Sequence, residues 1–178
     1  MKTEVALAEA LKQLMSKEEL DKITVKRLSD MCDIKRQTFY YHFRDIYDLL
    51  AWIFLNDNLT INENESSYED AVRVILKYIN KNKKFVKNTL SSAGKELFVQ
   101  FISGFLYSFT LKQFVRFDRY RQINSDDRKF YTSYFVSGIA NSIVIWAENG
   151  FKESEEVFIK KLKLVVGDFV LGIVRHYK

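Results

Sequence analysis

Proline is absent from this sequence, and glycine occurs only six times in 178 residues. No position therefore breaks a helical ladder for want of a backbone N–H, and the turn residues that crowd all-β chains are scarce. The apolar periodicity is helical almost throughout, so the expected fold class is all-α. A single cysteine, Cys32, excludes an intrachain disulfide. It falls on an apolar helical face and reads as a small buried residue. There is no run of about 18 apolar residues and no signal-peptide pattern, which leads to the expectation of a soluble cytoplasmic protein without a membrane partner. The two histidines, His42 and His176, are far apart in sequence. No His/Cys cluster has metal-ligand spacing, and no Gly-rich phosphate loop or nucleophile motif occurs. Neither catalysis, a cofactor nor a metal is expected. Glu155 and Glu156 read as a helix N-terminus, where acidic side chains favour the dipole.

Hydrophobic residues make up 47% of the chain and aromatics 15%, as befits a chain that folds around a core. The net charge of +5 permits a nucleic-acid partner. It is not concentrated at the N-terminus: residues 1–50 hold 9 Lys and Arg against 9 Asp and Glu. Only the run from Lys35 to Arg44 is clearly basic.

The most informative stretch is Thr24 to Phe43, T-V-K-R-L-S-D-M-C-D-I-K-R-Q-T-F-Y-Y-H-F. Thr24 is suited to cap a helix. Val25, Leu28, Met31 and Cys32 then share an apolar face, and Asp33 interrupts it at a tight turn before Ile34. A second short helix over Arg36–His42 begins with polar Lys35, Arg36, Gln37 and Thr38. It is anchored by Phe39 and Phe43, four residues apart. Two short helices joined by a tight turn, the second polar at its start, describe a helix-turn-helix. On that reading Lys35, Arg36, Gln37 and Thr38 face base edges, where Arg suits guanine and Gln suits adenine. Tyr40, Tyr41 and His42 would reach phosphates, and Thr24 lies at the same surface.

The same residues resemble the DNA-binding motif of the TetR family of bacterial transcriptional regulators. The family pattern is a small or hydroxyl residue, an aromatic or Leu, Tyr, any residue, His or Tyr, then Phe. Here it is met by Thr38, Phe39, Tyr40, Tyr41, His42 and Phe43. The resemblance implies an N-terminal three-helix helix-turn-helix domain and a C-terminal helical domain for ligand binding and dimerisation, about nine helices in all. It also implies a homodimer on a palindromic double-stranded DNA operator, with repression as the default. The family often places a Lys where Ile46 stands and uses it on a phosphate; Arg44 is the candidate substitute. Lys2 is a further candidate phosphate contact. Two strings, Tyr41–Phe54 and Trp146–Glu156, further resemble the branch that includes regulators of dihydroxyacetone kinase operons.

Along the rest of the chain, Leu7, Leu11, Leu14 and Met15 give a first helix within 1–18 that covers the helix-turn-helix. A linking helix at about 45–55 follows, and the polar stretch 56–66 sets the expected domain boundary: 1–55 for DNA binding, 56–178 for effector binding and dimerisation. Ser66 with Glu69 suggests a capping box for a fifth helix at about 67–80. A short basic helix follows, then an aromatic-dense one over 96–117. Phe98, Phe101, Phe105, Tyr107 and Phe109, with Tyr134, are candidates to line an effector pocket. Two long helices close the chain, capped by Ser125 and Ser154, the first ending at Asn149-Gly150. In the family these two make the dimer interface, here expected at Phe135, Gly138, Ile139, Ser142, Leu162, Val166, Phe169 and Val170. The effector, small molecule or protein, is not specified. The neutral first fifty residues and the absent Lys at position 46 leave one alternative, a helical adaptor that acts mainly through a protein partner.

Overall fold

The computed structural model describes residues 2–62, 66–118 and 122–177, apart from the side chains of Phe117, Val170 and Val174. Among the described residues the chain forms nine α-helices and no strand: α1 (Lys2–Met15), α2 (Val25–Met31), α3 (Arg36–His42), α4 (Ile46–Asn56), α5 (Tyr68–Lys81), α6 (Lys83–Leu90), α7 (Lys95–Phe117), α8 (Ser125–Glu148) and α9 (Glu155–His176). A 3₁₀ turn at Leu20–Lys22 joins α1 to α2. The all-α class expected from the sequence is the observed one. Two compact units divide the chain: Met1–Asn58 with Lys81–Phe101, and Leu59–Asn80 with Ile102–Lys178. Helix α7 thus gives its first residues to one unit and the remainder to the other.

In the first unit, α1 turns Leu7, Leu11, Leu14 and Met15 inward, all at or below 4% exposure, as their helical spacing requires. Leu28 of α2, Phe39 of α3 and Leu49, Leu50 and Ile53 of α4 are equally buried, with α1 packed against α2 and α4 and α3 against α2. Helix α6 is tied to the end of α1 by Asn88, whose Nδ2 donates to the carbonyls of Met15 (2.6 Å) and Glu18 (2.8 Å). Those carbonyls belong to the end of a helix and to the turn after it, where intrahelical donors run out. Phe54 stacks on Phe101 at 5.1 Å and meets Phe98 and Phe85 at 5.7 and 5.8 Å. Phe98 and Phe101 therefore belong to this core.

In the second unit, α5 buries Ala71, Val72, Ile75, Leu76 and Ile79 along one face. Its capping box lies one residue beyond the expected Ser66–Glu69. Ser67 N–H donates to Asp70 Oδ2 (2.8 Å), and Asp70 N–H donates back to Ser67 Oγ (3.2 Å). A helix beginning at Tyr68 leaves Ser67, not Ser66, as the residue half inside it. Likewise Asn124, not Ser125, caps α8, accepting from the N–H groups of Asp126 (3.0 Å) and Asp127 (2.8 Å). Ser154 caps α9 as expected.

Helix α8 ends as Asn149-Gly150 foretold. Gly150 takes the left-handed conformation (φ 74°), its N–H bonds to Ala147 O, and the N–H of Phe151 bonds to Trp146 O. The Phe151 ring then packs edge-on against Trp146 at 4.9 Å, the apolar contact that accompanies this cap. The Trp146 indole N–H donates to Glu153 O and its ring stacks on Phe158, which fixes the α8–α9 turn. Between α7 and α8, burial pushes the Asp118 carboxyl up. The N–H groups of Gln122 and Ile123 and the Arg128 guanidinium outweigh this and hold it below the ordinary carboxylate value.

Candidate nucleic-acid interface

Helix α2 starts at Thr24, whose hydroxyl accepts from the N–H of Arg27 at 3.3 Å. It runs seven residues to Met31, and the chain turns at Asp33, which takes φ 51°, a conformation that Asp tolerates better than most side chains. The N–H of Ile34 reaches back to Ser29 O (3.0 Å) and that of Asp33 to Asp30 O (3.4 Å). This pair of bonds is the same helix-ending motif seen at Gly150. It closes the turn in three residues and sends the chain into α3. Met31 departs from expectation: it is 43% exposed, because α2 buries only Leu28 and Ser29 fully.

Helix α3 is seven residues long, and its buried side is held by Phe39 and by Phe43 just after it, at 0% and 4% exposure with ring centres 5.9 Å apart. This anchoring fixes what points outward. Lys35, Arg36 and Gln37 are exposed and Thr38 is half-buried, all within the first turn. Tyr40 is 57% and Tyr41 85% exposed. Two tyrosines standing in solvent on so short a helix leave apolar ring area and a hydrogen-bonding hydroxyl open together. His42 is placed otherwise than expected. It is half-buried, with Nδ1 3.3 Å from Oε1 of Glu4 on α1, so it serves as a tie between α1 and α3. Thr24 is exposed, and its hydroxyl proton is not used by the cap.

The cations around α3 are not equally free. Arg27 is paired with Glu18 at 2.6 Å. Arg44, the candidate substitute for the absent Lys, pairs with Asp48 at 3.3 Å. Asp45 accepts from the N–H of Asp48 (2.8 Å), while the Asp48 carboxylate accepts from the N–H of Arg44 (3.0 Å). That backbone bond first, and the guanidinium second, hold the Asp48 carboxyl below its ordinary value. The start of α4, a place where helix dipole and free N–H groups attract phosphate, is filled by the chain's own carboxylates. Tyr47 is engaged as well, donating to Asp21 at 2.7 Å.

In the second unit a cavity of about 460 Å³ is lined by Ser66, Ser67, Tyr68, Thr110, Gln113, Arg116, Phe135, Val166, Gly167 and Leu171. None of the six aromatics expected to line an effector pocket is among them. Phe98 and Phe101 sit in the other unit's core, Phe105 and Tyr107 are half-buried, and Phe109 packs edge-on behind Tyr68 at 5.7 Å. Tyr134 is 67% exposed. The lining comes instead from polar residues of α7, Thr110 and Gln113, whose three-residue spacing within an apolar helix was the signal available in the sequence.

The residues expected at a dimer interface also divide. Phe135, Ile139 and Leu162 are buried within the protomer, while Gly138 is exposed and Ser142, Val166 and Phe169 are half-buried. Val170 lies outside the described side chains. The exposed apolar residues are Phe130, Tyr134 and Ile145 of α8 and Val157, Leu164, Val165 and Leu171 of α9. A groove of about 620 Å³ runs between the two helices, floored by Phe135, Ile139 and Leu162 and walled by Phe130, Tyr134 and Val165.

These features define a helical protein of the helix-turn-helix class. Its C-terminal part, residues 66–168, matches a TetR family model described as "Transcriptional regulator C-terminal region". The chain belongs to the TetR family of transcriptional regulators, a family of regulators and not of enzymes. Over 86 residues it is 35% identical to the HTH-type dhaKLM operon transcriptional activator DhaS of Lactococcus lactis subsp. lactis (strain IL1403). The match covers 47% of this chain and 46% of the relative, about half the length of each. A solved structure titled dihydroxyacetone kinase operon activator DhaS shares the fold, with a TM-score of 0.63 at 20% identity over 95% of this chain and 97% of that one. Among the described residues, no helix is long and apolar enough to cross a membrane.

Proposed function

We propose that this chain controls transcription by binding a roughly palindromic DNA operator as a homodimer, with residues 1–55 as the DNA-binding domain and 56–178 as the effector and dimerisation domain. The observation that carries the reading is the orientation of α3. Phe39 and Phe43 anchor its inner side, so Lys35, Arg36, Gln37, Thr38, Tyr40 and Tyr41 form one continuous outward face. The first turn reads base edges in the major groove, and the tyrosine hydroxyls bind phosphate. His42, held by Glu4, positions α1 against α3 instead of touching DNA. With Arg27 and Arg44 already paired, Lys35 and Arg36 supply most of the local charge, so affinity rests on two subunits binding at once.

Pairing of the subunits through α8 and α9 is supported by the exposed Tyr134, Leu164 and Val165. It is supported too by the polar residues beside them. Ser137 Oγ bonds to Ser133 O, Asn141 Nδ2 to Ser137 O and Ser142 Oγ to Gly138 O, each at 2.8 Å. Polar groups satisfied within their own helix let a second helix approach without being desolvated unpaired. Two reading heads then fall in grooves about 35 Å apart, or a small multiple of that. As to direction, repression is the family default, but the similarity to a protein named an activator favours activation.

The test is selection of binding sites from random duplexes, followed by titration of the selected site with the parent and with Arg36→Ala. Losing one bidentate base contact per half-site is expected to cost about 1–3 kcal/mol per subunit and to relax specificity at one position in each half-site. The adaptor alternative predicts no measurable binding at moderate salt; a regulator shows affinity that falls steeply as salt rises.

A further inference from the structure

We infer that the cavity between the start of α5 and the ends of α7 and α9 binds an uncharged, mainly apolar small molecule carrying one hydroxyl or carbonyl oxygen, which is received by Thr110 and Tyr68. This deepens the proposed effector role of the C-terminal domain and rests on it. The cavity lies wholly within the second compact unit.

Thr110 is the central observation. It is 1% exposed, lines the cavity, and its Oγ1 has no hydrogen-bond partner. A buried helical Thr ordinarily satisfies its hydroxyl on the carbonyl four residues back. Thr89 does so on Phe85 O (2.9 Å), and Thr132 on Arg128 O (2.8 Å). Thr110 does not, although the same carbonyl is available to any helical residue. Tyr68 is the second observation. Its hydroxyl is fully enclosed, with Thr110 as its polar neighbour. Thr110 lies beside the Tyr68 hydroxyl and offsets in part the burial that raises this phenol above its ordinary value, and a hydroxyl pair of this kind keeps donor and acceptor capacity for a third oxygen. The phenol therefore stays protonated and is a standing donor. Enclosed hydroxyls with hydrogen-bonding capacity left over at one wall are costly unless something completes them.

The remaining wall selects the rest of the ligand. Phe135, Val166 and Leu171 are apolar beside the polar Ser66, Ser67 and Gln113, and the Tyr68 ring is held in place edge-on by Phe135 (5.4 Å) and Phe109 (5.7 Å). An ionised group next to Thr110 would meet only neutral dipoles there, and burying a charge without a counter-charge is prohibitive. Arg116, the one charged residue of the lining, is exposed to solvent, whereas Thr110 is buried. One oxygen at the inner end and a compact apolar body satisfy both walls.

The experiment is a thermal-shift and calorimetric comparison on the full chain with four probes of nearly one shape: acetophenone, 1-phenylethanol, ethylbenzene and benzoate. Acetophenone and 1-phenylethanol are expected to bind about tenfold more tightly than ethylbenzene, the value of one hydrogen bond to a group otherwise left unpaired. Benzoate is expected to bind least. Thr110→Val is expected to bring the oxygen-bearing probes and ethylbenzene to similar affinity, and Thr110→Ser to keep the preference. The inference is overturned if no probe raises the melting temperature, if ethylbenzene or benzoate binds as well as acetophenone to the parent, or if Thr110→Val keeps the preference. The comparison on the parent decides even if the Val variant does not fold. DNA binding by the chain without probe is measured in parallel. Its absence counts against the regulator reading alone, and failed probe binding beside intact DNA binding counts against the cavity alone.

Discussion

Removing one atom, the Tyr40 hydroxyl, separates the proposed reading surface from every structural role of the same side chain. The Tyr40 ring meets Phe39 edge-on at 5.6 Å, and Phe at position 40 keeps that contact. Among the described residues the hydroxyl has no hydrogen-bond partner, and the residue is 57% exposed. Tyr40→Phe is therefore expected to leave unfolding free energy within about 0.5 kcal/mol of the parent. On DNA the same atom donates to a charged phosphate oxygen, a bond of about 1.5–3 kcal/mol. Water replaces it readily at an exposed site, so the lower end applies. Two copies per operator give about 3 kcal/mol, or a Kd raised by roughly two orders of magnitude. A neutral hydroxyl releases no counterion, so the slope of log K against log salt should barely move, whereas Lys35→Ala should flatten it by about one per subunit. Fluorescence anisotropy on a selected operator at several salt concentrations reads both quantities. A Kd unchanged in Tyr40→Phe, with the fold intact, refutes the assignment of this face to DNA.

Three further perturbations test other parts of the molecule. Val165→Glu puts a carboxylate on the 55%-exposed rim of the α8–α9 groove and is expected to convert a dimer to monomer by light scattering, with helical content unchanged; a persistent dimer rules that face out. Gly94→Ala would set a Cβ 2.7 Å from Leu50 Cδ2, and because Leu50 is fully buried the overpacking should cost about 1–3 kcal/mol in denaturant unfolding. Asp118→Asn should cost about 2–3 kcal/mol near neutrality through the weakened bonds to Gln122, Ile123 and Arg128. The Asp118 carboxyl is depressed in the folded state, so its contribution is present above the unfolded value near 4 and disappears as pH falls through the folded one. The gap between variant and parent should accordingly close in acid; a gap independent of pH refutes the ionic origin.

Sequence alone determined the features whose causes lie within a few residues. The helices, the Thr24 and Ser154 caps, the stop at Asn149-Gly150 and the turn at Asp33 depend on bonds spanning three to five positions, so local composition fixes them. The inner and outer sides of α3 were legible for the same reason, since Phe39 and Phe43 stand four apart. Errors of one residue, at Ser67 and Asn124, arose where adjacent side chains were equally able to cap.

What the tertiary structure decided are the relations that periodicity cannot rank. Helices α8 and α9 each carry apolar residues on more than one side, and only packing within the protomer shows that Phe135, Ile139 and Leu162 are spent inward while Tyr134, Leu164 and Val165 remain outward. His42 was matched to a motif position, but a carboxylate 38 positions earlier in the chain takes its ring. Asn88 joins α6 to the end of α1 across about 70 residues, and Thr110 of α7 lies beside Tyr68 of α5. A sequence states which groups are apolar, charged or able to bond, but long-range closure alone selects the partner each finds and the groups left open to a ligand, a second subunit or DNA.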